Sequence, residues 1–184
     1  MLSGESSECL LRNLDKTVTN VVQLLDKQEL TIATAESCTG GLLSELITSV
    51  SGASNVFELG LCTYSERTKS RFLGIPMEDI QRRGVVSEEI ALAMVKGLKK
   101  CSGADVCISV TGIAGPGGGT EKTPVGTVYI GFDICGKQFV KLPALWELKD
   151  KSRRSIRQSA ALYALRTVEE ALMEAIESNE RKSE

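Results

Sequence analysis

The sequence of 184 residues contains no histidine. Histidine is the general base of Ser-His-Asp and Cys-His catalytic sets, and it is also a frequent zinc ligand. Its absence excludes both catalytic sets and leaves any zinc site to cysteine and carboxylate ligands. A catalytic serine or cysteine in this chain would therefore need a lysine, a tyrosine or a carboxylate as its base.

Cysteine pairs with metal-ligand or redox spacing are also missing. None of the six cysteines forms a CxxC pair, and their spacing matches neither a zinc ribbon nor a thioredoxin-like motif. We expect most of them to be reduced and buried, where cysteine behaves as a small apolar side chain. We also expect no metal or other cofactor. The six are Cys9, Cys38, Cys62, Cys101, Cys107 and Cys135.

Long apolar runs and an excess of positive charge are absent as well. No run reaches the roughly 18 residues of a membrane span, and no secretory leader pattern opens the sequence. The 22 basic and 24 acidic residues give a net charge of −2, which offers phosphate backbones no general attraction. We therefore expect a cytoplasmic protein that binds neither a membrane nor a nucleic acid.

The order of helical and strand patterns predicts the fold class. The composition is that of an ordinary globular protein, with 42% hydrophobic and 25% charged residues, and the length suits one domain spanning 1–184. Helix and strand patterns alternate early, and two neighbouring strands come late. This order predicts a three-layer α/β/α sandwich with a mixed sheet of about five strands. The predicted helices are 8–27, 42–50, 65–74, 77–83, 87–100 and 149–177, and the predicted strands are 30–35, 56–64, 104–111, 125–134 and 137–145. We expect 1–6 and 178–184 to be flexible.

The segment ESCTGG, residues 36–41, follows the first predicted strand and precedes a helix. In open α/β sheets, ligands bind at this carboxyl edge. Ser37 is a candidate nucleophile and Cys38 is its rival, because a thiolate is intrinsically the stronger nucleophile. The backbone amides of Thr39, Gly40 and Gly41 could bind an anion or an oxyanion. The alternative is a plain turn in which Thr39 caps the helix.

Tyr64 and Lys69 are the candidate bases for such a nucleophile. Both lie where the second strand meets its helix, so parallel pairing of the first two strands would bring them to the edge that carries Ser37. Burial would lower the pKa of the lysine and allow it to act as a neutral base. A solvent-exposed helical lysine is the alternative interpretation.

Two further segments could bind a phosphate group. The glycine-rich loop 112–119 begins at the carboxyl end of the third strand and could hold a phosphate or act as a mobile lid. Arg153 and Arg157 lie four residues apart at the start of the last helix and share a face, which suits a phosphate. The alternative is that both arginines belong to a solvated basic face.

Several segments together resemble one family. AESCTGG, CTYSERTK, GVVSEE, SVTGIAGPGGGTEKTPVGTVYIG and SRRSIRQSAALYAL occur in this order between about 31 and 172. They resemble the C-terminal domain of competence-damage-inducible protein CinA, including its free-standing nicotinamide-nucleotide amidohydrolases. The resemblance implies hydrolysis of nicotinamide mononucleotide to nicotinic acid mononucleotide and ammonia without a metal. It also implies a three-layer fold with a mixed sheet, and a homo-oligomer.

The resemblance also implies roles for individual residues. By position, the family's catalytic serine, tyrosine and lysine fall on Ser37, Tyr64 and Lys69. Larger CinA proteins carry an additional N-terminal domain, and we expect a free-standing enzyme here. The residues expected to stabilise the oxyanion or bind the substrate are Glu36, Cys38, Thr39, Gly40, Gly41, Thr111, Gly112, Gly115, Arg153 and Arg157.

Three positions depart from the family pattern. They are Glu66, where asparagine is common, Thr123, which interrupts the usual EKPVG, and Ser152, where an aspartate often stands. Glu66 would raise the pKa of the nearby lysine, and Ser152 affects the expected phosphate end of the site. Two alternative functions stay open: a non-catalytic module that binds a nucleotide or a protein partner, and a Ser-Lys amidase that acts on another small amide.

Overall fold

The computed structural model describes residues 7–183, which form six helices, five strands and two short 3₁₀ helices, at Ala53–Asn55 and Leu145–Glu147. The helices are α1 (Ser7–Lys27), α2 (Leu42–Thr48), α3 (Glu66–Leu73), α4 (Met77–Arg83), α5 (Glu88–Ser102) and α6 (Arg153–Ser183). The strands are β1 (Ile32–Glu36), β2 (Phe57–Cys62), β3 (Val106–Gly112), β4 (Val128–Ile134) and β5 (Lys137–Lys141).

The five strands form one mixed sheet in the order β2-β1-β3-β4-β5. β1 pairs in parallel with both β2 and β3, whereas β4 is antiparallel to β3 and to β5. The β4–β5 connection is a two-residue hairpin turn in which Cys135 and Gly136 both have positive φ, at 49° and 88°. The predicted mixed sheet of five strands and its late hairpin are confirmed.

Helices cover both faces of the sheet. On one face, α1, α2 and α6 bury side chains such as Leu14, Leu43 and Leu165. On the other face, the buried side chains include Met94 of α5, and α3 and α4 also contribute. β1 and β3 are buried along almost their whole length because both of their faces are covered. The predicted three-layer α/β/α sandwich is therefore confirmed.

The parallel pairing brings three chain segments to one edge of the sheet. Glu36, the last residue of β1, lies beside Cys62 of β2 and Val110 of β3. The turn after β1, the segment after β2 and the glycine-rich loop after β3 therefore start side by side. The first turn of α6 also reaches this edge, through side-chain contacts described below.

The last helix differs from its predicted bounds at both ends. It begins at Arg153 rather than at 149, because the residues before it form the second 3₁₀ helix and an irregular connection. It continues to Ser183 rather than ending at 177, because a helix can extend beyond its apolar stripe. Ser178 and Arg181 donate side-chain hydrogen bonds to carbonyls four residues earlier, at Glu174 and Glu177.

The two predicted flexible segments have different outcomes. The segment 1–6 lies outside the described residues. The segment 178–184 is helical up to Ser183, and its flexibility stays a prediction. Across residues 7–183, the structure contains no helix with an apolar stretch long enough to span a membrane.

Gly97 of α5 gives a test of the packing between α5 and α3. A Cβ at this position would lie 2.2 Å from the carbonyl oxygen of Leu73. Alanine normally favours a helix over glycine by about 1 kcal/mol, but overpacking costs roughly 1–3 kcal/mol and the obstacle here is backbone. We expect Gly97→Ala to lower the free energy of unfolding in urea by about 2 kcal/mol. Gly117→Ala, which meets nothing within 4 Å, should be nearly neutral. Equal stability of the two variants would contradict this packing.

Candidate active site

The turn between β1 and α2 presents Ser37 at the edge of the sheet. The Ser37 amide donates to the carbonyl of Val110 at 2.9 Å, which extends the β1–β3 pairing by one residue. The Gly40 amide donates to the Ser37 carbonyl at 3.0 Å and closes a β-turn. Gly40 and Gly41 have φ of 61° and 91°, a left-handed conformation that glycine adopts without strain. We call the segment from Ser37 to Gly41 the nucleophile turn.

Lys69 contacts Ser37 directly. Its Nζ lies 2.9 Å from Ser37 Oγ and 2.7 Å from the carbonyl oxygen of Thr63. The side chain comes from α3, and Ser65 caps the amino end of this helix. It is fully buried, although it belongs to a helix with a largely polar sequence. The structure therefore brings together the predicted nucleophile and the predicted base.

Burial lowers the pKa of Lys69 from 10.5 to about 8, while the nearby Cys38 and Glu66 act weakly in the opposite direction. Within the described residues, Lys69 has no carboxylate partner at ion-pair distance. The pKa lies close enough to neutrality for a substantial fraction of unprotonated amine. Glu66 raises the pKa of Lys69, as predicted, but its effect is smaller than the lowering caused by burial.

The two contacts of Lys69 Nζ suit a neutral amine. A neutral amine has two N–H donors and one lone pair. It can donate to the Thr63 carbonyl and accept the hydroxyl proton of Ser37. An ammonium group has three donors and no acceptor, so it could not take that proton. The geometry is therefore that of a base hydrogen-bonded to its nucleophile.

Cys38 is a poor rival to Ser37. Its side chain is buried, and burial raises the pKa of the thiol to about 11. Since the thiolate is the reactive form, a thiol of this pKa is almost entirely unreactive at neutral pH. The structure favours Ser37 over Cys38 as the nucleophile.

Glu36 has a structural role rather than the expected contact with the substrate. Its carboxylate is fully buried and accepts hydrogen bonds from the amides of Gly41, Leu43 and Ser44 and from the Ser44 hydroxyl, at 2.9–3.1 Å. It therefore caps the amino end of α2 from within the protein. Thr39, the residue that the plain-turn interpretation proposed as the cap, makes no side-chain hydrogen bond in the described part of the chain.

The expected set of free amides is partly wrong. The Gly40 amide is bonded to the Ser37 carbonyl, and the Gly41 amide is bonded to Glu36. The Thr39 amide has no partner among the described residues, but Thr39 is fully buried. The Cys38 amide donates to no other described residue, and Cys38 lines the cavity in front of Ser37. Cys38 N–H is therefore the best-placed oxyanion donor of the turn.

A cavity of about 260 Å³ opens in front of Ser37. It lies between the nucleophile turn, the segment before α5 and the glycine-rich loop. Of the expected substrate-binding residues, Cys38, Thr111, Gly112, Gly115 and Arg153 line it. The hydroxyl of Thr111 donates to the Val85 carbonyl, which joins two walls of the cavity. The lining residues are Ser37, Cys38, Tyr64, Val85, Val86, Thr111, Gly112, Ile113, Ala114, Gly115, Gly117, Gly118 and Arg153.

Tyr64 lines this cavity but does not contact the proposed base. Its side chain is 59% exposed, and its hydroxyl accepts a hydrogen bond of 2.8 Å from Arg153. No hydrogen bond links it to Ser37 or Lys69 in the described part of the chain. Arg153 also donates to the Gly115 carbonyl at 2.9 Å, so it connects Tyr64 to the glycine-rich loop.

Arg157 occupies a different place from the one expected. It does not line the cavity, and its Nε and Nη2 donate to the carbonyl of Thr39 at 3.1 and 2.6 Å. Its guanidinium group therefore contacts the nucleophile turn instead of the cavity wall that Arg153 lines. The reason is that α6 packs beside α2 and directs its first turn towards the nucleophile turn.

The remaining departures from the family pattern make local contacts. Thr123 bonds to Thr120 just after the glycine-rich loop, and Ser152 bonds to Asp150 before α6. Sequence reasoning missed the Thr63 carbonyl, because a backbone acceptor leaves no signal in residue type. It also missed Val85 and Val86 on the cavity wall. Across the described ranges, no three cysteine or acidic side chains are arranged to hold a metal ion.

Fold and site together define an α/β sandwich domain with a Ser–Lys pair, its lysine buried, at the carboxyl edge of its parallel strands. The chain belongs to the CinA C-terminal domain family, whose model matches residues 14–172. This finding confirms the resemblance described from the sequence motifs.

Relatives of known sequence and structure agree with this family. A CinA-like protein of Kosmotoga olearia is 47% identical over 83% of this chain and 36% of its own length. Another from Thermotoga maritima is 42% identical over 87% of this chain and 38% of its own length. The chain thus spans a little over a third of these curated relatives. The crystal structure of a competence/damage inducible protein from Agrobacterium tumefaciens has a TM-score of 0.81 at 32% identity, covering 87% of this chain and 95% of that one. A CinA superfamily protein of Klebsiella pneumoniae also has a TM-score of 0.81, at 27% identity, covering 88% and 98%.

The lowered pKa of Lys69 makes the stability of the protein depend on pH. Between the folded pKa of about 8 and the ordinary value of 10.5, the unfolded chain binds a proton that the folded chain lacks, so stability rises with pH in this window. Below this pH window, protonation of the buried amine lowers the free energy of unfolding by up to about 3 kcal/mol, relative to a lysine of ordinary pKa. We expect Lys69→Met to be at least as stable as the parent at pH 7 and to lose this advantage at pH 10. Urea unfolding at both pH values measures the difference, and a difference independent of pH would contradict the folded pKa.

Proposed function

We propose that this protein is an amidohydrolase that converts nicotinamide mononucleotide to nicotinic acid mononucleotide and ammonia through a serine acyl-enzyme. The observation that supports it most is the 2.9 Å contact between Lys69 Nζ and Ser37 Oγ at the wall of a cavity. A buried lysine without a carboxylate partner lowers stability, so its retention beside a serine favours catalysis over a purely structural role.

In the first step, Ser37 attacks the carboxamide. Neutral Lys69 takes the hydroxyl proton while Oγ bonds to the carboxamide carbon. The resulting oxyanion faces the Cys38 amide. The C–N bond then breaks, and the proton held by Lys69 passes to the leaving nitrogen, so that ammonia departs and Ser37 carries the acyl group.

In the second step, water opens the acyl-enzyme. Lys69, neutral again, takes a proton from a water molecule whose oxygen attacks the ester carbon. Collapse of the tetrahedral intermediate returns the proton to Ser37 Oγ and releases the pyridine carboxylic acid, which loses its proton to solvent. In each step Lys69 first accepts a proton and then donates it, as acyl transfer requires.

The choice of substrate depends on the family resemblance and on the chemistry of the cavity wall. The motifs resemble those of free-standing nicotinamide-nucleotide amidohydrolases. Arg153 uses only two of its five N–H donors on Tyr64 and Gly115, so it retains donors for a phosphate at the wall shared with the glycine-rich loop. No metal or other cofactor forms part of the proposal. The proposal includes assembly into a homo-oligomer, which the family resemblance implies.

Ammonia release from nicotinamide mononucleotide is the direct test. We expect the parent protein to release ammonia and to form nicotinic acid mononucleotide in equal amounts, without sensitivity to chelators. Ser37→Ala should lower kcat by roughly 10³-fold or more, because the hydroxyl forms the covalent intermediate. Cys38→Ala should keep activity of the same order as the parent. An inactive Cys38→Ala beside an active Ser37→Ala would reverse the assignment of the nucleophile. A parent that releases no ammonia would contradict the proposed reaction.

The pH dependence of kcat/KM tests the base. Because only neutral Lys69 accepts the serine proton, activity should rise with pH along a single ionisation near pH 8, where the lowered pKa lies, and then level off. Lys69→Arg keeps the positive charge but cannot deprotonate, so it should be as inactive as Lys69→Ala. Retained activity in Lys69→Arg would show that the lysine acts only by its charge.

A further inference from the structure

We propose that Arg157 is a positioning residue that holds the nucleophile turn in the geometry required for catalysis, and that it does not bind the substrate. The inference rests on the proposed function, because it concerns the same serine site. It replaces the sequence-based interpretation, in which Arg157 and Arg153 formed a joint phosphate site.

The peptide between Thr39 and Gly40 is held at both ends. Its carbonyl oxygen accepts two hydrogen bonds from Arg157, at 3.1 Å from Nε and 2.6 Å from Nη2, and a longer one of 3.3 Å from the Leu42 amide. Its N–H donates to the carbonyl of Ser37 at 3.0 Å. The guanidinium group is therefore connected to the backbone of the nucleophile through one rigid peptide plane.

Arg157 supplies a restraint that the turn lacks on its own. The Ser37 amide is fixed by β3 through the Val110 carbonyl, but among the described residues the Ser37 carbonyl accepts a hydrogen bond only from the Gly40 amide. Gly40 and Gly41 follow in left-handed conformations, and glycine gives a chain the greatest freedom to leave such a geometry. Without the guanidinium group, the Thr39 carbonyl would keep only the 3.3 Å hydrogen bond from the Leu42 amide among the described residues, so the Thr39–Gly40 peptide could rotate more freely. Ser37 Oγ and the Cys38 amide would then lose their alignment.

The contacts of Arg157 argue against a direct role in substrate binding. Arg153 lines the cavity and Arg157 does not. Within the described residues, Arg157 forms no ion pair, and its hydrogen bonds go to the Thr39 carbonyl alone. A Cβ at Gly40 would lie 3.7 Å from Arg157 Nη2, which places the guanidinium group against the outside of the turn.

The experiment compares the parent with Arg157→Ala, Arg157→Lys and the control Arg154→Ala, which removes an exposed arginine of the same helical turn. The substrates are nicotinamide mononucleotide and nicotinamide riboside, which lacks the phosphate. For Arg157→Ala we expect kcat to fall about 10- to 100-fold on both substrates, with KM changed less than threefold, because misalignment of reacting groups acts on the transition state. Arg157→Lys should lie between Ala and the parent, and Arg154→Ala should match the parent.

The pH profile and the fold of the variants exclude a general loss of structure. The midpoint of kcat/KM against pH should stay near that of the parent in Arg157→Ala, because Lys69 remains in place. Circular dichroism should show a folded protein at the assay temperature. A loss confined to nicotinamide mononucleotide and expressed in KM would overturn the inference and identify Arg157 as a phosphate ligand. Parent-like kinetics of Arg157→Ala on both substrates would also overturn it.

A covalent probe separates this inference from the choice of substrate. Diisopropyl fluorophosphate forms a P–O bond to Ser37 Oγ as fluoride leaves and the serine proton passes to Lys69, and mass spectrometry locates the adduct. We expect Arg157→Ala to react at least tenfold more slowly than the parent and Arg154→Ala to react at the parent rate. If the parent reacts with the probe but releases no ammonia, only the proposed substrate fails and the labelling rates still decide the role of Arg157. If the parent neither reacts nor releases ammonia, the serine site itself fails and the inference fails with it.

Discussion

The rest of the site depends on the enclosure of the Lys69 amine. A lysine on α3, a helix with a mostly polar sequence, would ordinarily point into solvent. Here it is buried against the Thr63 carbonyl and the Ser37 hydroxyl, with no carboxylate partner among the described residues. Burial of the charged form is unfavourable, so the protein favours the neutral amine and thereby obtains a base without histidine. The nearby thiol responds to the same low-polarity surroundings in the opposite direction, because its charged form is the anion.

The architecture explains how these groups meet. Serine and lysine lie 32 residues apart in sequence, but they follow two parallel strands that are neighbours in the sheet. The glycine-rich loop follows the third parallel strand and closes the far side of the cavity. The antiparallel strands β4 and β5 extend the sheet away from this edge. They contribute to the core, and no residue of either strand lines the cavity.

Sequence reasoning predicted the layers, the mixed sheet and the Ser–Lys pair, because each left a pattern in residue type. Apolar periodicity identified the helices and strands, and the lack of histidine restricted the possible bases to a few residues. It failed where function depends on the backbone. The Gly40 and Gly41 amides already donate hydrogen bonds, and the Thr63 carbonyl accepts one from the lysine. These contacts follow from the path of the backbone and not from side-chain type. The role of Glu36 was predicted wrongly for a related reason. A carboxylate beside a nucleophile suggests a role in the reaction, yet this carboxylate accepts hydrogen bonds from the amides at the start of α2.

The contacts of α6 with the site also have a consequence for biosynthesis. Arg153 joins the segment after β2 to the glycine-rich loop, and Arg157 holds the turn after β1. Both arginines are supplied by α6, which leaves the ribosome after the sheet and the Ser–Lys pair. The sheet and the Ser–Lys pair are encoded entirely upstream of them, so a nascent chain can contain nucleophile and base before the groups that align them have emerged. The site therefore reaches its final geometry only after α6 has emerged and docks beside α1 and α2.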